Sequence, residues 1–322
     1  MRLNLIHYFC RKQHNMLRGI YSQLNNFSKF ILLITLVFSF LLFSLLLGIL
    51  VLVPFYGTGI ISILASPNYS EPAVITAMKV MQILNMVGGL LLPAIVYLWL
   101  CSPKEKKYSG LLKSVSPIAV FLTFILIVLI QPIIGWASEL NSHLVLPKFL
   151  AFIEEWMKSK EEIGAQVTEA FLSSTSVNSL LINILMVAIL PAFAEEILFR
   201  GALAGLFKAW TKNVHLAVFL SAFIFAAIHM QFYGFLPRFL LGTALGYLYF
   251  WSGSLWLPIV AHFTNNFLSV IVEFLFRKGM IQTNAENFGV DNATWLIVIS
   301  IIGVTGILFS IYNLTSRQNK EG

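Results

Sequence analysis

Glu195-Glu196-Ile197-Leu198-Phe199-Arg200 places three ionisable side chains within a long apolar run. Ionisable groups are expensive in hydrocarbon, so by default they suggest a functional site. Glu196 and Arg200 are four apart and share one helix face, with the acid N-terminal to the cation, the favourable order for an ion pair. Glu195 projects about 100° away around the same helix. It is left as a carboxylate that needs another partner or a proton, and is therefore the candidate for chemistry. Glu196 and Arg200 are the candidate support.

His229 is the next ionisable group at membrane depth, one turn after Phe225. A short turn around Lys212 makes the flanking apolar runs an antiparallel hairpin. Glu195 and His229 are equidistant in sequence from that turn, which puts both at ~25 Å along their helices. Equal depth permits contact without fixing helix rotation. His262 and Asn266, again four apart, add two donors on one face, while Asn265 points elsewhere. Counted from the start of its own helix, His262 lies shallower than Glu195, and the mismatch shrinks if the helices around Lys208 and Lys212 extend past Arg200 into the cytoplasm. A carboxylate, two histidines and an amide are the parts needed to activate a water and stabilise an oxyanion. Each alone is also compatible with a role as interhelical glue.

Other protease chemistries find no support. H-E-x-x-H is absent. The chain contains one aspartate, Asp291, which rules out a two-aspartate mechanism. Ser252-Gly253-Ser254 reads as a turn between spans rather than a nucleophile.

The elements that must position these groups are membrane spans. At 58% hydrophobic residues, 11% charged residues and a mean hydropathy of +0.84, the chain is too apolar for a soluble protein of its length. It reads as an all-α polytopic membrane protein with about eight spans: 30–56, 74–100, 115–136, 177–207, 214–231, 236–251, 255–276 and 293–312. The site falls between the fourth, fifth and seventh. The net charge of +7 follows the positive-inside rule rather than indicating nucleic acid. Arg2, Arg11, Lys12, Arg18 and Lys29 precede the first span, and Lys104, Lys106, Lys107 and Lys113 follow the second. Lys208, Lys212, Arg317 and Lys320 complete a cytoplasmic set that places both termini inside. Arg277 and Lys278 run against this pattern and are offset by Glu273, Glu286 and Asp291. The first apolar run is too long for a signal peptide and reads as a retained anchor. Cys10 and Cys101 fall on the cytoplasmic side, where they stay reduced, and have no metal-ligand spacing.

The chain divides softly: a basic leader (1–29), a three-span scaffold (30–136), an extracytoplasmic segment (137–176), a membrane core (177–276), and a last span with its tail (277–322). Within 137–176, Phe149, Phe152, Ile153, Trp156 and Met157 recur at helical spacing among charges. That pattern describes an amphipathic helix in the outer interface, or alternatively a lid or substrate gate. Intramembrane Glu, Arg and His can also build a transporter. That reading predicts polar residues in both halves and inverted repeats. The first three spans offer only Lys79, Gln82 and Asn85, near one end.

Three motifs in order, Glu195-Glu196…Arg200, Phe225…His229 and His262…Asn266, resemble those of the CAAX protease and bacteriocin-processing (CPBP, or ABI) family of intramembrane endopeptidases. The resemblance covers about residues 177–276. It implies that Glu195 and His229 activate the attacking water, that His262 and Asn266 stabilise the oxyanion, and that Glu196 and Arg200 hold the geometry. Both glutamate-type and metalloprotease descriptions exist for the family. No cofactor is favoured, with zinc on Glu195, His229 and His262 as the alternative. The implied partners are a peptide or membrane-protein substrate and the surrounding lipid. The layout fits a bacterial plasma membrane and a role in peptide maturation or self-immunity, with CAAX-type processing as the other branch. An inactive member acting by binding is a further alternative.

Overall fold

A computed structural model describes residues 18–102, 109–144, 146–282 and 294–321. The leader through residue 17 with Cys10, and Lys104, Lys106, Lys107, Glu286 and Asp291, lie outside the described residues, as do the side chains of Arg317 and Lys320. The described residues form long helices and no strand. They are α1 (Asn26–Ala65, with a 3-10 turn at Gly57–Gly59), α2 (Pro72–Cys101), α3 (Pro117–Ser142), α4 (Ala151–Leu172), α5 (Val177–Thr211), α6 (Val214–Ile228), α7 (Phe235–Ser252), α8 (Trp256–Arg277) and α9 (Thr294–Glu321).

The chain is an all-α polytopic membrane protein. Where sequence suggested about eight spans, six helices are long and apolar enough to cross a bilayer: α1, α2, α3, α5, α8 and the Trp295–Ser316 part of α9. α6 is apolar but has 15 residues, or ~22 Å, less than a ~30 Å hydrocarbon core. α7 is less apolar and carries Arg238 in its first turn. Large apolar side chains such as Phe38, Phe43 and Leu50 of α1 and Ile302 and Phe309 of α9 stay exposed, the surface expected against lipid.

α5 is the central element, with Pro191, Ala192, Ala194 and the stretch from Glu195 to Arg200 all buried. One apolar cluster joins it to α1, α2 and α6, and another joins α3, α7, α8 and α9. The α6–α7 hairpin packs closely because α7 presents Gly242 and Gly246. A Cβ at Gly246 would lie 2.9 Å from Val218 Cγ1, and one at Gly242 would lie 3.2 Å from Ala222 Cβ.

Two π-helical stretches, Asn85–Leu91 and Ile184–Ile189, end just before Pro93 and Pro191. A proline has no N–H for the carbonyl one turn back and its ring crowds that carbonyl, so the helix widens there. A third stretch, Ile197–Ala204, directly follows the two glutamates.

Loops divide the molecule into two ends. At one, Phe27 stacks edge-on with Trp210, Lys208 lies over Phe250, and Ser254 Oγ donates to the Lys113 carbonyl. At the other, α4 packs beside the 230–234 turn, where Trp156 meets Phe232 and the Tyr233 N–H donates to Glu161. Asn141 of α3 clamps that turn from the side, donating to Phe232 O and accepting from the Leu236 N–H.

Candidate active site

Glu196 and Arg200 form the ion pair that their spacing requires, with Nη1 2.7 Å from Oε1 and both side chains at most 1% exposed. The same oxygen accepts from His262 Nδ1 at 2.8 Å. Arg200 Nη2 donates to the Gly242 carbonyl of α7 at 3.0 Å, and its guanidinium lies 4.7 Å from the centre of the Phe225 ring. One carboxylate thus ties α5 to α8, and its arginine ties α5 to α6 and α7. Glu196 and Arg200 are both buried, so each charge depends on the other, although Glu196 Oε2 and Arg200 Nε have no hydrogen-bond partner.

Phe225 organises the histidines as well. Its ring meets Phe199, His229 and His262 edge to face, with centroids 5.2, 4.9 and 5.9 Å away. His229 Nδ1 lies 2.7 Å from Phe225 O. A carbonyl can only accept, so Nδ1 carries the proton, and in the neutral ring Nε2 is the free lone pair. The helix stops directly behind it: Met230 takes a left-handed conformation (φ 55°), unusual for a residue with a side chain. His229 is thereby set at the end of α6 rather than within it.

Glu195 is 7% exposed, and its Oε2 has no hydrogen-bond partner. His262 Nε2 lies 3.8 Å from that oxygen. With His262 Nδ1–H committed to Glu196, Nε2 of a neutral ring faces this carboxylate lone pair to lone pair. At 3.8 Å the two are not hydrogen-bonded. Of the two positions open to His262, the structure takes the deeper one. Gly201 is level with Leu255, since a Cβ there would lie 3.6 Å from Leu255 Cδ1. α5 then continues to Thr211 beyond the start of α8, and this overhang cancels the depth difference.

Glu195, His229, His262 and Asn266 all line one cavity of about 450 Å³. Asn265, expected to point elsewhere, lines it too. Asn266 Nδ2 donates to Val187 O at 2.9 Å, and its Oδ1 accepts from Asn265 at 3.2 Å. Val187 is the residue whose carbonyl Pro191, four positions on, cannot serve. Asn266 therefore fills a vacancy created by a proline on the neighbouring helix, and keeps one amide hydrogen for the cavity.

Sequence reasoning missed Arg238, and left the 137–176 segment open between a surface helix and a lid or gate. Arg238 lines the cavity from the first turn of α7. The available signal was a cation in an apolar run with no acid on its own helix. Val167, Thr168, Phe171 and Leu172 of α4 form part of the wall, so the 137–176 segment reaches the site. Among the described residues no three His, Cys, Asp or Glu side chains are grouped to hold one metal ion. The set Glu195, His229 and His262 that zinc would need does not converge on one point.

The match to known proteins falls on this geometry. Residues 177–268 match the Rce1-like family of type II CAAX prenyl endopeptidases. All three motifs lie inside the matched stretch, which bears out the resemblance they carried. The rest of the chain, α1 to α4 and α9, lies outside it. Over 85 residues the chain is 36% identical to the uncharacterized protein YpbD of Bacillus subtilis (strain 168), covering 25% of this chain and 40% of that protein. The chain thus spans less than half of that relative's length. No solved structure matches it.

If Asn266 replaces the hydrogen bond that Pro191 withholds, the two positions are coupled. Asn266→Ala should cost ~1 kcal/mol of stability. The loss should shrink towards zero in a Pro191→Ala background, where the introduced alanine supplies a backbone N–H for Val187 O. A double-mutant cycle of thermal unfolding in detergent measures this, and additive losses would refute it.

Proposed function

We propose that the chain is an intramembrane endopeptidase in which Glu195 activates water. The observation that carries this reading is a buried carboxylate oxygen without a hydrogen-bond partner, lining a cavity with two histidines inside the Rce1-like segment. Glu195, with His229 Nε2 as the second acceptor, takes a proton from a water in the cavity. The resulting hydroxide adds to the peptide carbonyl carbon. His262 Nε2, when protonated, and the remaining N–H of Asn266 donate to the oxyanion. Asn265 is a further donor, because it lines the same cavity. The proton passes to the leaving nitrogen as the C–N bond breaks, giving a carboxylate and an amine. Glu196 and Arg200 touch no reacting atom in this scheme; they hold His262 and α5 in place. The reading uses no metal, and its substrates are peptides or membrane proteins with a segment able to enter the bilayer.

Glu195→Gln should lower cleavage of a peptide library by ~10²–10⁴-fold, the usual contribution of a general base. Cleavage by the wild type should survive treatment with a zinc chelator. Mass spectrometry of library products in proteoliposomes reads both, and undiminished proteolysis by Glu195→Gln would end the assignment.

The site lies at the end of the molecule formed by α4 and the 230–234 turn, away from Lys29, Lys113 and Lys208. With the basic end cytoplasmic, both termini are cytoplasmic and the cavity opens towards the outer face of the plasma membrane. That suits maturation of an exported peptide or self-immunity better than processing of a cytosolic protein. In a background carrying Cys10→Ser and Cys101→Ser, a membrane-impermeant maleimide should label Ser159→Cys in intact cells. Ala209→Cys should label only after permeabilisation. The reverse pattern would invert the topology.

A further inference from the structure

Arg238 is the one charged side chain of the cavity wall that the scheme above leaves without a task. It also lines a second cavity of about 770 Å³, whose wall includes Glu139, Glu161, Gln231 and Tyr233. The two cavities share Thr168, Leu172, Val187, Arg238 and Ser269, so the guanidinium stands where one leads into the other. A chain entering from the α4 end would pass it before reaching Glu195.

The guanidinium is held and aimed. Nη1 donates to Gln231 O at 3.1 Å and Nη2 to Gln231 Oε1. Two glycines clear the space for this arrangement. A Cβ at Gly234 would overlap Arg238 Nη1, and one at Gly164 of α4 would lie 2.7 Å from Gln231 Nε2. Gln231 thus occupies two of the five guanidinium hydrogens and leaves the others available. Among the described residues no carboxylate pairs with Arg238. The acids whose charge acts on it are Glu161, which already accepts from the Tyr233 N–H, and Glu195. A preoriented, half-buried cation with unused donors suits a planar anion that accepts two parallel hydrogen bonds.

We propose that Arg238 binds a carboxylate of the peptide substrate, either its C-terminus or an Asp or Glu side chain, and so fixes which bond reaches Glu195. This rests on the endopeptidase reading and adds a specificity-determining residue to it. Arg238 touches substrate at a distance from the reacting carbonyl, so its removal should alter selection among peptides rather than the reaction itself.

Two randomised decapeptide libraries, one ending in a free acid and one in an amide, are presented to the wild type, Arg238→Gln, Arg238→Lys and Glu195→Gln in proteoliposomes. The wild type should favour carboxylate-bearing peptides at a fixed offset from the cut by about tenfold or more in kcat/KM. Arg238→Gln should bring that ratio close to one, and Arg238→Lys should restore part of it. A preference for acid over amide libraries assigns the C-terminus. A preference for Asp or Glu over Asn or Gln at one position assigns a side chain. No carboxylate preference in the wild type, or the same preference in Arg238→Gln, overturns the proposal. Wild-type cleavage no greater than that of Glu195→Gln would defeat the endopeptidase reading alone. The anion site is then decided by thermal unfolding: stabilisation of the wild type, and not of Arg238→Gln, by the acid over the amide library supports it, and equal shifts refute it.

Discussion

The structure depends on a single carboxylate oxygen. Glu196 Oε1 accepts from Arg200 on its own helix and from His262 on α8, in a place no water reaches. A lone carboxylate or guanidinium there would be prohibitive, and although Glu196 Oε2 and Arg200 Nε make no hydrogen bond, the bonds to Oε1 keep each charge beside its opposite. Each partner therefore fixes another. Arg200, held by Glu196, reaches the Gly242 carbonyl and rests on Phe225, and Phe225 in turn sets the edges of both histidines. The geometry around Glu195 follows from how Glu196 Oε1 is paired.

Backbone chemistry contributes a second constraint. Pro191 widens α5 just ahead of the glutamates and frees a carbonyl that Asn266 takes. Met230 ends α6 behind His229, and Asn141 and Glu161 hold the turn that follows. In a bilayer no solvent is present to satisfy such groups, so each departure from a regular helix must be matched by a side chain from a neighbour. These matches, rather than apolar packing alone, register α3, α5, α7 and α8 against one another.

Much of this was legible in the sequence because the relevant relations are local. The Glu196–Arg200 pair is an i,i+4 relation, and the apolar runs announce the helices. The level of His229 follows from counting around Lys212. What was not legible depends on rotation and on distant segments. Asn265 lines the cavity although its spacing suggested otherwise, because α8 presents an arc wider than one row. The depth of His262 was open in the sequence because the overhang of α5 past Leu255 is set by packing. Arg238 escaped notice because its partner, Gln231, lies in a turn rather than one helical turn away. The length of α6 was not legible either: it stops at 15 residues, where Met230 turns the chain.

The central claim is a division of labour between adjacent carboxylates, Glu196 maintaining the structure and Glu195 free for chemistry. It is tested most directly by thermal unfolding of Glu195→Gln and Glu196→Gln side by side in the same detergent. Glu195→Gln should unfold within a degree or two of the wild type, since its oxygen gives up no hydrogen bond. Glu196→Gln should lose ~3–5 kcal/mol, because Arg200 is left buried without its counter-charge. A destabilised Glu195→Gln beside an undisturbed Glu196→Gln would contradict the account.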